Sequence, residues 1–338
     1  MILTPEESSR VIAFHSKNVS FEDLGITNLA NTVLCDLVDR KISINNFSQS
    51  EFHPSSKHPK AVDWIFVLDT LNFSFWNEKN CNNSKWTVNC QTGYFALCAA
   101  IKRAIEEGKP IVDPNYYSQI TRSEAEYIFR GDTETSIPLL DERVKCLRNA
   151  GKVLLEKYEG TFVNCIKRCF GSAAKLLRLI VKEFESYQDE ANYRDHRVCF
   201  YKRGQILVAD IWACFKGEGI GEFKDIDCIT MFADYRVPQV LVHFGALRYS
   251  KPLLSKLQSD IELENGSLDE IEIRGCTIYV VEQVKNQVRT LIEQRPHLGL
   301  KKTDVNAIMI DHFLWDYRRE HADQLESIPF HKTRCIYY

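Results

Sequence analysis

Asp234 stands in 232-FADYRVPQVLVHFGAL-247, within a stretch that is almost all apolar from Cys228 to Leu247. A carboxylate in such surroundings costs several kcal/mol unless something pairs with it. Kept there, it suits one kind of chemistry, which is to face a positive centre formed in a transition state or carried by a ligand. Two more carboxylates interrupt 304-DVNAIMIDHFLWDYRRE-320, whose apolar residues from Val305 to Trp315 cover nearly the whole circumference of a helix. Asp311 and Trp315 are four apart and share a face, whereas Asp316 lies roughly 140° from Asp311 around an ideal helix. Both carboxylates can serve one pocket only near the helix end or from opposite sides of a ligand. Asp316 can as readily pair with Arg318 or Arg319 on the surface. Asp311, flanked by Ile310 and His312, has less scope for that.

The elements that position these groups are mostly helices. Upstream of Asp234, 204-GQILVADIWACFKGEGIGEFKDIDCITMFADY-235 runs apolar from Ile206 to Phe215, breaks at Gly217, Gly219 and Gly221, and resumes helical spacing to Phe232. GxGxG is not the GxGxxG of a dinucleotide fold, and the stretch before it is helix-like, so a nucleotide cofactor has weak support. The same residues are compatible with a plain helical turn. They also match the helix–hairpin–helix plus aspartate of DNA glycosylases, where the carboxylate faces the sugar of an extruded nucleotide. Asp225 and Asp227, in the polar stretch after the turn, read as capping or solvated. The segment 92–110 places Tyr94, Leu97, Cys98, Ile101 and Ile105 on one helical face and stops at Gly108-Lys109-Pro110. A second amphipathic helix follows a Ser172 cap, and 277–294 obeys the same rule. Strand signals are few: 62–76 is ambiguous, and 270-EIEIRG-275 alternates over a short span. The polar segment 45–61, with two prolines, predicts a loop.

Composition narrows the class. The 338 residues are 44% hydrophobic and 26% charged with net charge −3, which is ordinary globular composition without a basic field for nucleic acid. No signal peptide and no membrane-length apolar run is visible, and none of the twelve cysteines forms a CxxC pair. Most of the twelve cysteines, a set that includes Cys81, lie among apolar neighbours and predict reduced core residues, as in a cytosolic or nuclear soluble protein. The expectation is a mainly α, compact fold with few short strands and no metal or cofactor. It spans 1–338 as one domain, or as two helical lobes with the active site between them.

Several long segments in order, 61–76, 92–121, 204–215, 231–247 and 328-IPFHKTRCIYY-338, resemble the queuosine salvage protein family of queuosine 5′-phosphate N-glycosylase/hydrolases. The resemblance implies an all-helical fold related to DNA glycosylases. It also implies hydrolysis of queuosine 5′-monophosphate, releasing queuine, a 7-deazaguanine base, for insertion into tRNA. It places the catalytic aspartate in the FAD segment, on Asp234, and makes Phe232 a base-stacking residue beside Trp315. A carboxylate under C1′ would stabilise or attack the oxocarbenium-like sugar. Asp311 and Asp316 would accept hydrogen bonds from the guanine-like edge or the secondary ammonium of the base.

The 5′-phosphate needs cationic or N–H partners, with His53, Lys202, Arg203 and Arg236 as candidates. His53, in 52-FHPSSKHP-59, is carried over by resemblance as a substrate-lining residue. Lys202 and Arg203 precede an apolar helix and can equally form a solvated face, and His243 reads as a satisfied core histidine. The expected partners are the nucleotide and queuine, with no membrane and no stable nucleic-acid complex. Two other readings stay open: a DNA glycosylase for damaged bases, which would want a basic face, and a non-catalytic queuine- or tRNA-binding module.

Overall fold

The computed structural model describes residues 2–76 and 85–338, and Cys81 lies outside them. The described chain is mainly helical and divides into two compact units, residues 1–44, 189–205 and 227–334 in one, and 45–188, 206–226 and 335–338 in the other. One of the chain's passages from one unit to the other falls within the helix Lys202–Cys214. No helix among the described residues is long and apolar enough to cross a membrane.

The first unit is built around the 27-residue helix Leu268–Gln294. The helices Pro5–His15 and Asp23–Val38 pack on it, and Ile12, Leu29, Val33, Ile273, Val280 and Val284 share one apolar core. Close approach is possible because Gly275 lacks a side chain; a Cβ there would sit 2.5 Å from Ile12 carbons. Short antiparallel ribbons, Val19–Phe21 with Leu247–Tyr249 and Glu190–Tyr193 with His196–Cys199, complete the unit.

Two sequence expectations fail here, each for a visible reason. The alternating 270–275 segment is not a strand but the first turns of the long helix, and all six residues are buried. Its carboxylates face partners rather than water. Glu270 pairs with Arg274 at i, i+4, and Glu272 accepts from the Lys17 and Asn18 amides. The stretch after the glycine turn is not a second helix either: it holds only the 3₁₀ turns Gly219–Gly221 and Ile226–Cys228 before the chain runs irregularly to 236. Side chains satisfy its backbone in place of a helical ladder. Thr230 N donates to Gln205 Oε1 at 2.9 Å, Phe232 N to Asp311 Oδ1 at 2.9 Å, and Ala233 O accepts from Arg274 Nε at 3.1 Å.

In the second unit the ambiguous 62–76 segment starts as the helix Ala61–Thr70, buried at all ten positions, which explains why it showed no amphipathic period. Helix Gly93–Glu106 buries Leu97, Cys98 and Ile101 of the predicted stripe, and its outer members Tyr94 and Ile105 are half-buried. The helix Ala173–Glu183 begins at Ser172, whose side chain accepts from Lys175 N. Asp225 adds to that cap, accepting from Ser172 Oγ at 2.7 Å and Ala173 N at 2.6 Å. Segment 45–61 is mostly loop, opened by the 3₁₀ turn Ile44–Gln49. Arg143, fully buried in the helix Leu140–Lys157, binds the carbonyls of Leu71, Phe73 and Pro138, and the Tyr338 carbonyl accepts from Ser74 N at 2.9 Å. The described cysteines are free thiols, most of them buried; Cys35, Cys90 and Cys228 are exposed.

Candidate active site

In the first unit, the irregular chain ahead of the helix Val237–His243 carries Asp234. Its Oδ1 accepts from Arg236 N and Val237 N, both at 2.8 Å, so the carboxylate ties down the start of that helix. Asp234 N donates to Phe232 O at 2.7 Å, closing a tight turn. Among the described residues no donor meets Oδ2. The side chain is half-buried, not sealed in an apolar core as the flanking sequence suggested. Hydrogen bonds to two amides, rather than burial for its own sake, account for a carboxylate at this position.

The helix Ala307–Glu320, capped by Asn306, brings three candidates to the same unit. Asp311 is buried and holds Phe232 N, which is how a carboxylate is tolerated between Ile310 and His312. Phe232 is itself buried, its ring 6.2 Å from that of His312. Trp315 is half-buried beneath the Arg319 guanidinium, 4.9 Å from the ring centroid. Asp316 is half-buried and makes no hydrogen bond or ion pair with any described residue. The expected surface pair is replaced, for Arg318, by bonds to Glu326 at 2.6 Å and Gln239 at 3.2 Å. Burial raises the Asp316 carboxyl above the ordinary range, the Glu320 charge adds to this, and Arg319 opposes it only in part.

Lys202 and Arg203 are buried at the start of their helix, so the solvated-face reading does not hold. Lys202 N donates to Asp189 Oδ2 at 3.1 Å. Arg236 is half-buried, its guanidinium 3.9 Å from the Phe330 ring centroid and 3.1 Å from Gln239 Oε1. His243 is not a satisfied core histidine: it is exposed at the end of its short helix and meets Tyr317 Oη at 3.3 Å. Asp227 is exposed and pairs with Arg289 at 2.6 Å.

His53 belongs to the second unit. Its Nδ1 lies 2.8 Å from Phe47 O, which fixes Nδ1 as the N–H and leaves Nε2 as an acceptor. Phe47 stacks on the ring at 4.1 Å, and Nε2 is shielded from solvent with no hydrogen-bond partner among the described residues. Burial pushes the imidazole down to about 4, so His53 is neutral near pH 7 and offers no charge to a phosphate. Near it, Tyr94 Oη donates to the buried Asp210 at 3.4 Å, and Asp69 accepts from Asn72 at 3.4 Å. Sequence reasoning placed Tyr94 on an apolar helical face and singled out none of Asp210, Asp69 and Asn72. It also missed Arg274, Asp189 and Glu270, whose one legible signal was the E-x-x-x-R spacing of 270–274.

Among the described residues no group of three or more His, Cys, Asp or Glu is disposed to hold a metal ion. The family model described as queuosine salvage protein matches residues 52–338. A Bos taurus protein named queuosine 5′-phosphate N-glycosylase/hydrolase is 45% identical over 341 residues, covering 100% of this chain and 99% of its own. A Schizosaccharomyces pombe protein of the same name is 34% identical over 354 residues, covering 98% and 99% of the two chains. A Sphaerobacter thermophilus protein, also so named, is 39% identical over 292 residues, covering 85% and 84%.

Proposed function

The chain belongs to the queuosine salvage protein family, and we propose that it hydrolyses the N-glycosidic bond of queuosine 5′-monophosphate to release queuine. The observation that carries this reading is the end-to-end match to relatives bearing that activity in their names, at identities up to 45%.

The chemistry assigns parts to the residues described above. Cleavage of the base–sugar bond develops positive charge at C1′ and the ring oxygen. Asp234 supplies the opposing charge through Oδ2, while its Oδ1 stays bound to two amides and so cannot swing away. The departing 7-deazapurine has carbon in place of N7 and needs its charge or proton handled elsewhere. Asp316, whose carboxyl is raised by burial, suits proton donation or an ammonium contact. Asp311 presents a carboxylate beside Phe232, and Trp315 a flat ring for stacking. Lys202 and Arg203 are the cations for the phosphate, and His53 enters as a neutral acceptor lining the substrate. A relation to helix–hairpin–helix glycosylases is part of this proposal only as a shared helical architecture; the local hairpin is not formed after the glycine turn.

The test is parallel incubation with queuosine 5′-monophosphate, its nucleoside and DNA carrying damaged bases, with free base and abasic sites quantified. Queuine release from the nucleotide is expected. Retention of intact nucleotide, or abasic sites in DNA without queuine release, would overturn the proposal.

A further inference from the structure

We infer that Arg274 is a positioning residue for Asp234: its guanidinium fixes the backbone that carries that carboxylate. The inference rests on the proposed reaction for what Asp234 does there, and on geometry alone for how it is held.

Arg274 is buried together with Asp189 and Glu270, their side chains 1%, 5% and 1% exposed. Buried ion groups of this kind are weak sources of stability, because apolar replacements are often neutral or better. Their geometry offers another reason. Asp189 receives both Arg274 terminal nitrogens, Nη1 at 2.9 Å and Nη2 at 2.6 Å, and Glu270 receives Nη1 at 3.1 Å. The Phe200 ring lies 4.1 Å from Cζ. A two-pronged bond and a stacked ring fix the plane of the guanidinium and so the direction of its third nitrogen. That nitrogen, Nε, donates to the carbonyl of Ala233, the residue before Asp234.

The irregular segment has no ladder of its own to hold that carbonyl. Asp311 holds Phe232 N, Arg274 holds Ala233 O, and the Arg236 and Val237 amides hold Asp234 Oδ1. Three successive residues are thereby clamped, and Oδ2 is the atom left over for substrate. A misplacement of about 1 Å at a reacting group can cost on the order of a hundredfold in rate. A lysine at 274 keeps the positive charge but lacks the fork, so it cannot hold both carboxylates and the Ala233 carbonyl together.

The experiment compares Arg274→Lys, Asp234→Asn, the double variant, and Glu272→Gln, which disturbs the same helix through bonds to residues 16–18 instead. Two readouts are taken: single-turnover release of base, and amide hydrogen exchange over residues 232–237. Arg274→Lys should slow release by roughly ten- to a hundredfold with KM little changed, and exchange over 232–237 should accelerate. Glu272→Gln should leave that exchange as in the wild type. In the Asp234→Asn background Arg274→Lys should add less than about threefold, since it acts through a group already disabled. Unaltered exchange over 232–237, or a rate loss that multiplies in full with Asp234→Asn, would overturn the inference. Should Arg274→Lys fail to fold, Asp189→Asn takes its place, keeping the guanidinium and loosening its anchor. A wild type that releases no base would refute the proposed function, and the exchange readout would still decide the role of Arg274.

Discussion

At Asp234 two amides converge on one carboxylate oxygen and leave the other without a described donor. The flanking sequence suggested a charge held against a desolvation cost; the structure shows a half-buried group that stabilises a helix start. Asn can still accept both amide bonds through its carbonyl oxygen, whereas Ala cannot. Asp234→Ala should therefore lose about 1 kcal/mol of stability while Asp234→Asn loses little, as urea unfolding would show. Equal stability of the two would mean that the amide contacts carry no weight. His53 invites a pH test. Its folded value of about 4 lies below the 6.5 of an unperturbed imidazole, so the unfolded chain binds the proton more readily. The stability tied to this difference is complete above pH 6.5 and is lost as pH falls through about 4. It amounts to at most about 3 kcal/mol, since His53 as a whole residue is only partly buried. His53→Asn should flatten the decline of unfolding free energy between pH 6.5 and 4; an unaltered slope would contradict the assigned environment.

At the scale of elements, legibility followed how a segment meets its surroundings. The helices Gly93–Glu106 and Ala173–Glu183 bury one face, so the 3.6-residue period was plain in their residues. The segment 270–275 is buried all round, and its carboxylates look like a solvent face until their partners, Arg274 and the Lys17 and Asn18 amides, are known. The chain from 229 to 236 adds to its local turn bonds others from Gln205, Arg274 and Asp311, far away in sequence, and no local pattern encodes these. Asp234, Asp311 and Phe232 were all singled out from the sequence, but the bond that joins Asp311 to Phe232 was not. Removing that bond should be measurable. Asp311→Ala should cost about 1–3 kcal/mol because it orphans a buried amide, while Asp311→Asn keeps an acceptor and should melt near the wild-type temperature. A stable Ala variant would remove Asp311 from the list of anchors. Gly275→Ala should be destabilising by about 1–3 kcal/mol, since its methyl meets Ile12 at 2.5 Å; calorimetry showing no loss would mean the two helices separate freely.

At the scale of the whole molecule, the two compact units hold different kinds of group. The first holds Asp234, Asp311, Trp315, Asp316 and the Asp189–Arg274–Glu270 cluster, and the second holds His53, Tyr94 and the buried Asp69 and Asp210. The family match across residues 52–338 includes parts of both units. The central claim is that this chain breaks a base–sugar bond with Asp234 opposite the developing cation. The most direct measurement is single-turnover release of queuine from queuosine 5′-monophosphate by the wild type and by folded Asp234→Asn, with substrate affinity measured alongside. The account expects release by the wild type, a fall of on the order of 10²–10³ or more in the Asn variant, and affinity little changed. Near-wild-type release by a folded Asp234→Asn protein would contradict it.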